Sequence, residues 1–218
     1  YKGLQSEFDK LTAAKSVKRV DGIWITHYHD DHTDYAQALS NRFGCPVHFT
    51  ESMKDVLERP SNYRLPCLTP NAITTGKPER DGAQIRWHEF KLTFFVFPGQ
   101  TLYHGGLLIE KDGGEALFFV GDSFTPSGID DYCLQNRDFI RENAGYLRCL
   151  NILEKLPNNV WLINQHVQPT FRFSSSHFAR MRAELRKRIA VLAELSPWPD
   201  PNYAVDESWA LVYPYGNK

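Results

Sequence analysis

The chain has 218 residues, 42% hydrophobic and 13% aromatic, with 25 Lys and Arg against 26 Asp and Glu for a net charge of −1. That length and apolar content can bury one sizeable core, so a single domain over residues 1–218 is expected. Near-zero charge gives no strong pull on nucleic acid or an anionic membrane, and no stretch approaches the roughly 18 to 20 apolar residues of a membrane span. The sequence reads as a soluble protein.

Leu4, Phe8 and Leu11 recur at helical spacing and predict an N-terminal helix. Val20 to Thr26 is a mostly apolar, β-branched run, which reads as a buried strand. It ends on His27-Tyr28-His29-Asp30-Asp31-His32, where three of the chain's eight histidines and two carboxylates fall within six positions. Imidazole nitrogen and carboxylate oxygen are the ligands that borderline ions such as Zn²⁺ take in catalytic sites. In a near-extended chain His27 and His29 share one face, and Asp31 and His32 follow as the chain turns into a helix, giving two adjacent metal positions. A solvated polar loop gives no reason to hang these residues on an apolar strand. A histidine tract for nonspecific metal capture would not need the interleaved aspartates.

Downstream, Tyr35 to Phe43 and Glu51 to Leu57 carry helical patterns around a short strand at residues 44–49, the logic of a βαβ crossover. Residues 59–83, rich in proline and polar side chains, read as an irregular loop and a candidate wall or lid for a cleft. Gln84 to Phe97 suggests two strands or one long bent strand, followed by Pro98-Gly99-Gln100-Thr101-Leu102-Tyr103-His104. Gly105 to Glu110 pairs with Ala116 to Val120 through the hairpin signal Asp112-Gly113-Gly114, and the second strand runs into Gly121-Asp122-Ser123. A helix is expected from Asn136 to Lys155, then a strand from Val160 that closes on His166.

Phe178, Met181, Leu185, Ile189 and Leu192 form the apolar stripe of a helix over Ser175 to Leu195. Its basic face, with Arg180, Arg182, Arg186, Lys187 and Arg188, reads as solvated. Ser196 to Pro201 looks like a rigid exit loop to a last strand, Trp209 to Tyr213. His48, His88 and His177 lack partner motifs and read as structural. Cys45, Cys67, Cys133 and Cys149 form no Cys-x-x-Cys pair and so no zinc ribbon or redox motif. Compartment and oligomeric state are not set by any of these features.

His27-x-His29-x-Asp31-His32 after an apolar strand resembles the signature of the metallo-β-lactamase-fold hydrolases. The segment from Pro98 to His104 resembles the family's Pro-Gly-His-Thr-x-Gly-His, with Gln100 at the position of a third histidine ligand and His104 matching a later histidine that is commonly not a ligand. The resemblance implies a first metal held by His27, His29 and either Gln100 or His104, and a second by Asp31, His32 and His166. Asp122 would bridge them. The implied cofactor is Zn²⁺, two ions, with iron or manganese as alternatives. The implied chemistry is hydrolysis by a metal-bound hydroxide, with Asp31 or metal-bound water shuttling the proton, on a small-molecule ester, thioester, lactone, phosphoester or related bond. Two other readings stay open: a mononuclear iron oxygenase resembling the persulfide dioxygenases, and a non-catalytic metal-binding module.

The implied fold is α/β, a four-layer αββα sandwich. In the family several strands normally precede the histidine motif, whereas 26 residues precede His27 here. Some leading strands are therefore expected to be missing, in a fragment of a longer protein or a shortened variant.

Overall fold

A computed structural model describes residues 2–130 and 145–195. In chain order its elements are α1 (Lys2–Ala13), β1 (Ile23–Trp24), α2 (Asp30–Thr33), α3 (Ala36–Phe43), β2 (Val47–Thr50), α4 (Lys54–Glu58), β3 (Gly76–Glu79), β4 (Gln84–Trp87), β5 (Phe90–Val96), β6 (Gly105–Lys111), β7 (Ala116–Phe119), β8 (Phe124–Thr125), β9 (Gly128–Ile129), α5 (Tyr146–Leu153), β10 (Val160–Ile163) and α6 (Ser175–Leu195). The expected strand at Trp209 to Tyr213, the exit loop, Cys133 and residues 136–144 of the expected helix lie outside the described residues.

Two sheets carry the fold. The first is parallel, in the order β1-β2-β3, and the second runs β10-β7-β6-β5-β4. Helices α3 and α4 cover the outer face of the first sheet, where Ala36, Val56 and Leu57 pack with Val47 and Phe49. The second sheet is covered by α5 and α6, whose Leu147, Leu150, Met181 and Leu185 join Leu108, Phe118 and Leu162. Between the sheets, Trp24 packs on Phe94 with ring centroids 5.2 Å apart, and a Cβ at Gly105 would lie 2.7 Å from Thr50 and 3.0 Å from Trp24. Glycine there lets the sheets approach. The result is the αββα layering, with helices outside and the sheets face to face.

Residues 59–83 are not wholly irregular, because Gly76-Lys77-Pro78-Glu79 pairs in parallel with Val47 to Thr50 as β3. Proline masks the strand in the sequence, yet an edge strand tolerates it because one row of its backbone groups has no ladder partner. Gln84 to Phe97 resolves into two antiparallel strands turning at His88, which holds φ of 52°. Strand β1 is shorter than the apolar run from Val20 to Thr26. It pairs only with β2, and Asp21 just before it instead accepts hydrogen bonds from the Trp87 indole N–H at 3.1 Å and from His88. Beside β1 an apolar cleft of about 350 Å³ opens between the sheets, lined by Trp24, His48, Ile85, Trp87, Phe94 and Leu107 among others. No helix of the described residues is long and apolar enough to cross a membrane.

Strand direction gathers the expected ligands. β5 and β7 both run antiparallel to β6, and β10 runs parallel to β7, so β5, β7 and β10 end at one edge of the sheet where β6 begins. Gln100 follows β5, Asp122 follows β7, His166 follows β10 and His104 precedes β6. The first sheet meets that edge through a backbone bridge between His27 and His104 and a Gly105 N–H donated to the Thr26 carbonyl at 2.6 Å. Three segments remote in sequence thereby converge on the turn after β1.

Candidate metal centre

The histidine turn is built locally. After Thr26 the chain leaves its ladder, and His29 caps the single turn of α2, whose first residues Asp30 and Asp31 suit the positive end of a helix. The Thr33 hydroxyl donates to the His29 carbonyl at 2.8 Å, closing the turn on itself. From outside, the Asp30 N–H donates to the Cys67 carbonyl at 2.8 Å and His29 bridges Leu68. Cys67 and Leu68 of the 59–83 segment thus stand against the turn.

Within the turn the donor atoms face inward. His27 Nε2 lies 3.0 Å from His29 Nδ1 and 3.6 Å from Asp122 Oδ2. His32 Nε2 lies 3.3 Å from Asp122 Oδ2 and 3.6 Å from Asp31 Oδ2, and His166 Nε2 lies 3.0 Å from Asp31 Oδ2 and 3.4 Å from Asp122 Oδ2. Two groups follow, Asp31-His32-Asp122-His166 and His27-His29-Asp122, each with its donor atoms within 4.8 Å of one another. Asp122 belongs to both. Donors about 2.0 Å from a tetrahedral zinc ion stand about 3.3 Å apart, which is the spacing seen here. At the cluster the buried Asp122 Oδ1, Gln100 Oε1 and His104 Nδ1 have no hydrogen-bond partner, a deficit that a cation would remove at either oxygen. The residues present therefore fit a metal.

Burial sets the protonation states. It holds the His27 ring well below its ordinary pKa, drives His104 down to about 3, and lowers His29 against the opposing pull of Asp122 and Asp31. Burial also works against the Asp122 charge, but the His32 hydrogen bond and the surrounding imidazoles outweigh it and keep this carboxyl below its usual value. Neutral imidazoles around an ionised carboxylate are the state in which both can ligate a metal.

The same burial predicts acid lability. Between pH 6.5 and about 3 the unfolded chain takes up a proton on His104 that the folded chain refuses, so this contribution is complete above pH 6.5 and is lost as pH falls through that window. For His104 alone the loss at pH 5 is about 2 kcal/mol, and His27 adds in the same direction. Urea midpoints of metal-free protein should therefore drop from pH 7 to pH 5, whereas equal midpoints would contradict neutral burial.

Three groups not singled out in the sequence hold the ligands in place. The Thr26 hydroxyl lies 3.1 Å from His27 Nδ1 and 3.4 Å from His32 Nδ1, turning both Nε2 atoms toward Asp122. Ser123 Oγ accepts the Gln100 N–H at 3.1 Å and lies 3.3 Å from His104 Nε2. Asn164 donates to the Phe124 carbonyl at 2.9 Å and accepts the His166 N–H at 2.7 Å, joining the loops after β7 and β10. Their only sequence signal is a position beside a ligand. His104 joins neither donor group. The cluster opens on one side, where the Asp31 and His166 side chains are 47% and 53% exposed against 0% for His27 and 8% for Asp122.

No protein-family model matches the chain. A solved metallo-β-lactamase from Cronobacter sakazakii, described by its HARLDQ motif, aligns over 80% of this chain and 73% of its own with a TM-score of 0.57 and 16% identity. ETHE1 from Myxococcus xanthus aligns over 95% of this chain and 81% of its own, at a TM-score of 0.54 and 18% identity. The chain is a metallo-β-lactamase-fold protein. Among curated proteins, this metallo-β-lactamase-fold chain is 25% identical over 181 residues to hydroxyacylglutathione hydrolase of Aeromonas hydrophila. The match takes in 81% of the chain and spans 60% of that relative's length.

Proposed function

We propose that the chain is a zinc-dependent hydrolase with a dinuclear centre. The observation that carries this reading is the pair of donor groups sharing Asp122. A mononuclear iron oxygenase would need only the His27-His29 side, and the four-donor group speaks for two ions. On this reading His27, His29 and Asp122 serve the first ion and Asp31, His32, Asp122 and His166 the second. Zinc, if held by these residues, would supply a water with a pKa lowered towards about 7 for attack on an electrophilic centre at neutral pH.

The chain's own groups do the rest. Thr26 keeps the Nε2 atoms of His27 and His32 directed at the centre, and burial disfavours protonation of the His27 ring. Asp31, on the open side, can take a proton on Oδ2 and release it to the leaving group. The wall from Cys67 to Leu68 limits the approach to that side.

The test is a panel of lactones, thioesters, phosphodiesters and sulfate esters with zinc-loaded protein. Acylated thiols head the panel because a curated relative is a hydroxyacylglutathione hydrolase. Turnover is expected on at least one class, and His29→Ala and Asp31→Ala should each abolish it. Full metal-dependent turnover in the double variant, or iron rather than zinc in the active purified protein, would overturn the reading.

A further inference from the structure

The two donor groups differ in number and kind. The solvent-facing group has two imidazoles and two carboxylates, whereas the inner one has two imidazoles and a carboxylate that it shares. Gln100, on the loop after β5, and His104, at the start of β6, are the two further donors that the family resemblance offers to the inner group.

His104 is held away from that role. Its ring is fully buried and stacks on His27, with centroids 4.9 Å apart and planes 12° from parallel. Its Nε2 lies 3.3 Å from Ser123 Oγ, and a Cβ at Gly121 would come within 2.4 Å of that nitrogen. Gly121, with φ of 55°, leaves the ring the space that a side chain there would fill. The backbone bridge to His27 fixes the other side. His104 is a positioning residue, a plate against which the His27 ring is laid.

Gln100 is the remaining donor. Its side chain is buried, its Oε1 has no hydrogen-bond donor, and its backbone N–H is tied to Ser123, the neighbour of Asp122. An amide oxygen is neutral and a weaker partner for a borderline ion than imidazole or carboxylate.

We infer that this centre binds its two ions unequally: the Asp31-His32-Asp122-His166 group retains its ion, while the His27-His29 group, with only the Gln100 amide to add, exchanges its ion readily. The inference rests on the dinuclear reading above. It makes occupancy of the inner position, and with it turnover, depend on free zinc in the surroundings.

The experiment loads the full chain with excess zinc, dialyses it against stepped concentrations of a chelator, and measures zinc per chain by elemental analysis. Release is expected in two steps separated by about 10-fold or more in chelator, with one ion per chain on the plateau. Gln100→His should carry two ions across the concentration at which the parent keeps one, and His166→Ala should lose the plateau. Release of both ions in a single step from the unaltered chain overturns the inference, as does a plateau that survives His166→Ala. A folded Gln100→His variant that retains no more zinc than the parent also overturns it. Failure to bind zinc even before dialysis overturns the dinuclear reading itself.

Discussion

Asp122→Asn should lower zinc affinity by more than about 100-fold and remove hydrolysis with it, since loss of a supporting hydrogen bond alone costs 10- to 100-fold. The reason is geometric. Asp122 Oδ2 lies within 3.6 Å of the Nε2 atoms of His27, His32 and His166, so one oxygen serves both donor groups. Asparagine keeps the shape, removes the charge, and turns either a neutral oxygen or an N–H toward the three imidazoles. Equilibrium dialysis with zinc checks the affinity, and circular dichroism checks that the fold persists. Retention of two ions by the folded variant would remove Asp122 from the centre.

The second large effect is on stability. Phe118→Ala is expected to cost about 3–5 kcal/mol in urea unfolding of the metal-free protein at neutral pH, the range for deleting a buried aromatic ring. Phe118 is fully buried in β7, with its ring 5.2 Å from Phe97 and 5.7 Å from Phe95. A Cβ at Gly106 on the paired strand would come within 2.5 Å of the ring, so Phe118 fills space that glycine leaves open. The neighbours cannot collapse into that space without moving β6 or β7, and β7 delivers Asp122 three residues later. A loss below about 1 kcal/mol, the usual scale for an exposed site, would mean that the ring is not a core element.

The strands that feed the centre were legible because they are buried on one face, partly covered on the other, and read as continuous apolar runs, as Ala116 to Phe119 and Val160 to Ile163 do. Helix α6 was legible because its apolar stripe runs from Phe178 to Leu192 within a helix of 21 residues. Strand β3 was not, since an edge strand with a lysine and a proline carries no pattern that separates it from a loop. The second carrier of the site, the wall at Cys67 and Leu68, was legible only as a long polar segment.

By itself the sequence offered the candidate donors, because ligand chemistry belongs to side-chain type and each candidate sits beside a strand or turn with a local signature. It also determined that these residues occupy element ends. Which of them meet was decided only by the tertiary structure. His32 and Asp122 are 90 positions apart, and Gln100 reaches Ser123 across 23. The inferred preference for Gln100 over His104 rests on a ring stacked against His27 and lodged where a glycine 17 positions further on has room for nothing larger. Such contacts depend on strand direction and on packing between two sheets, and a local periodicity carries neither.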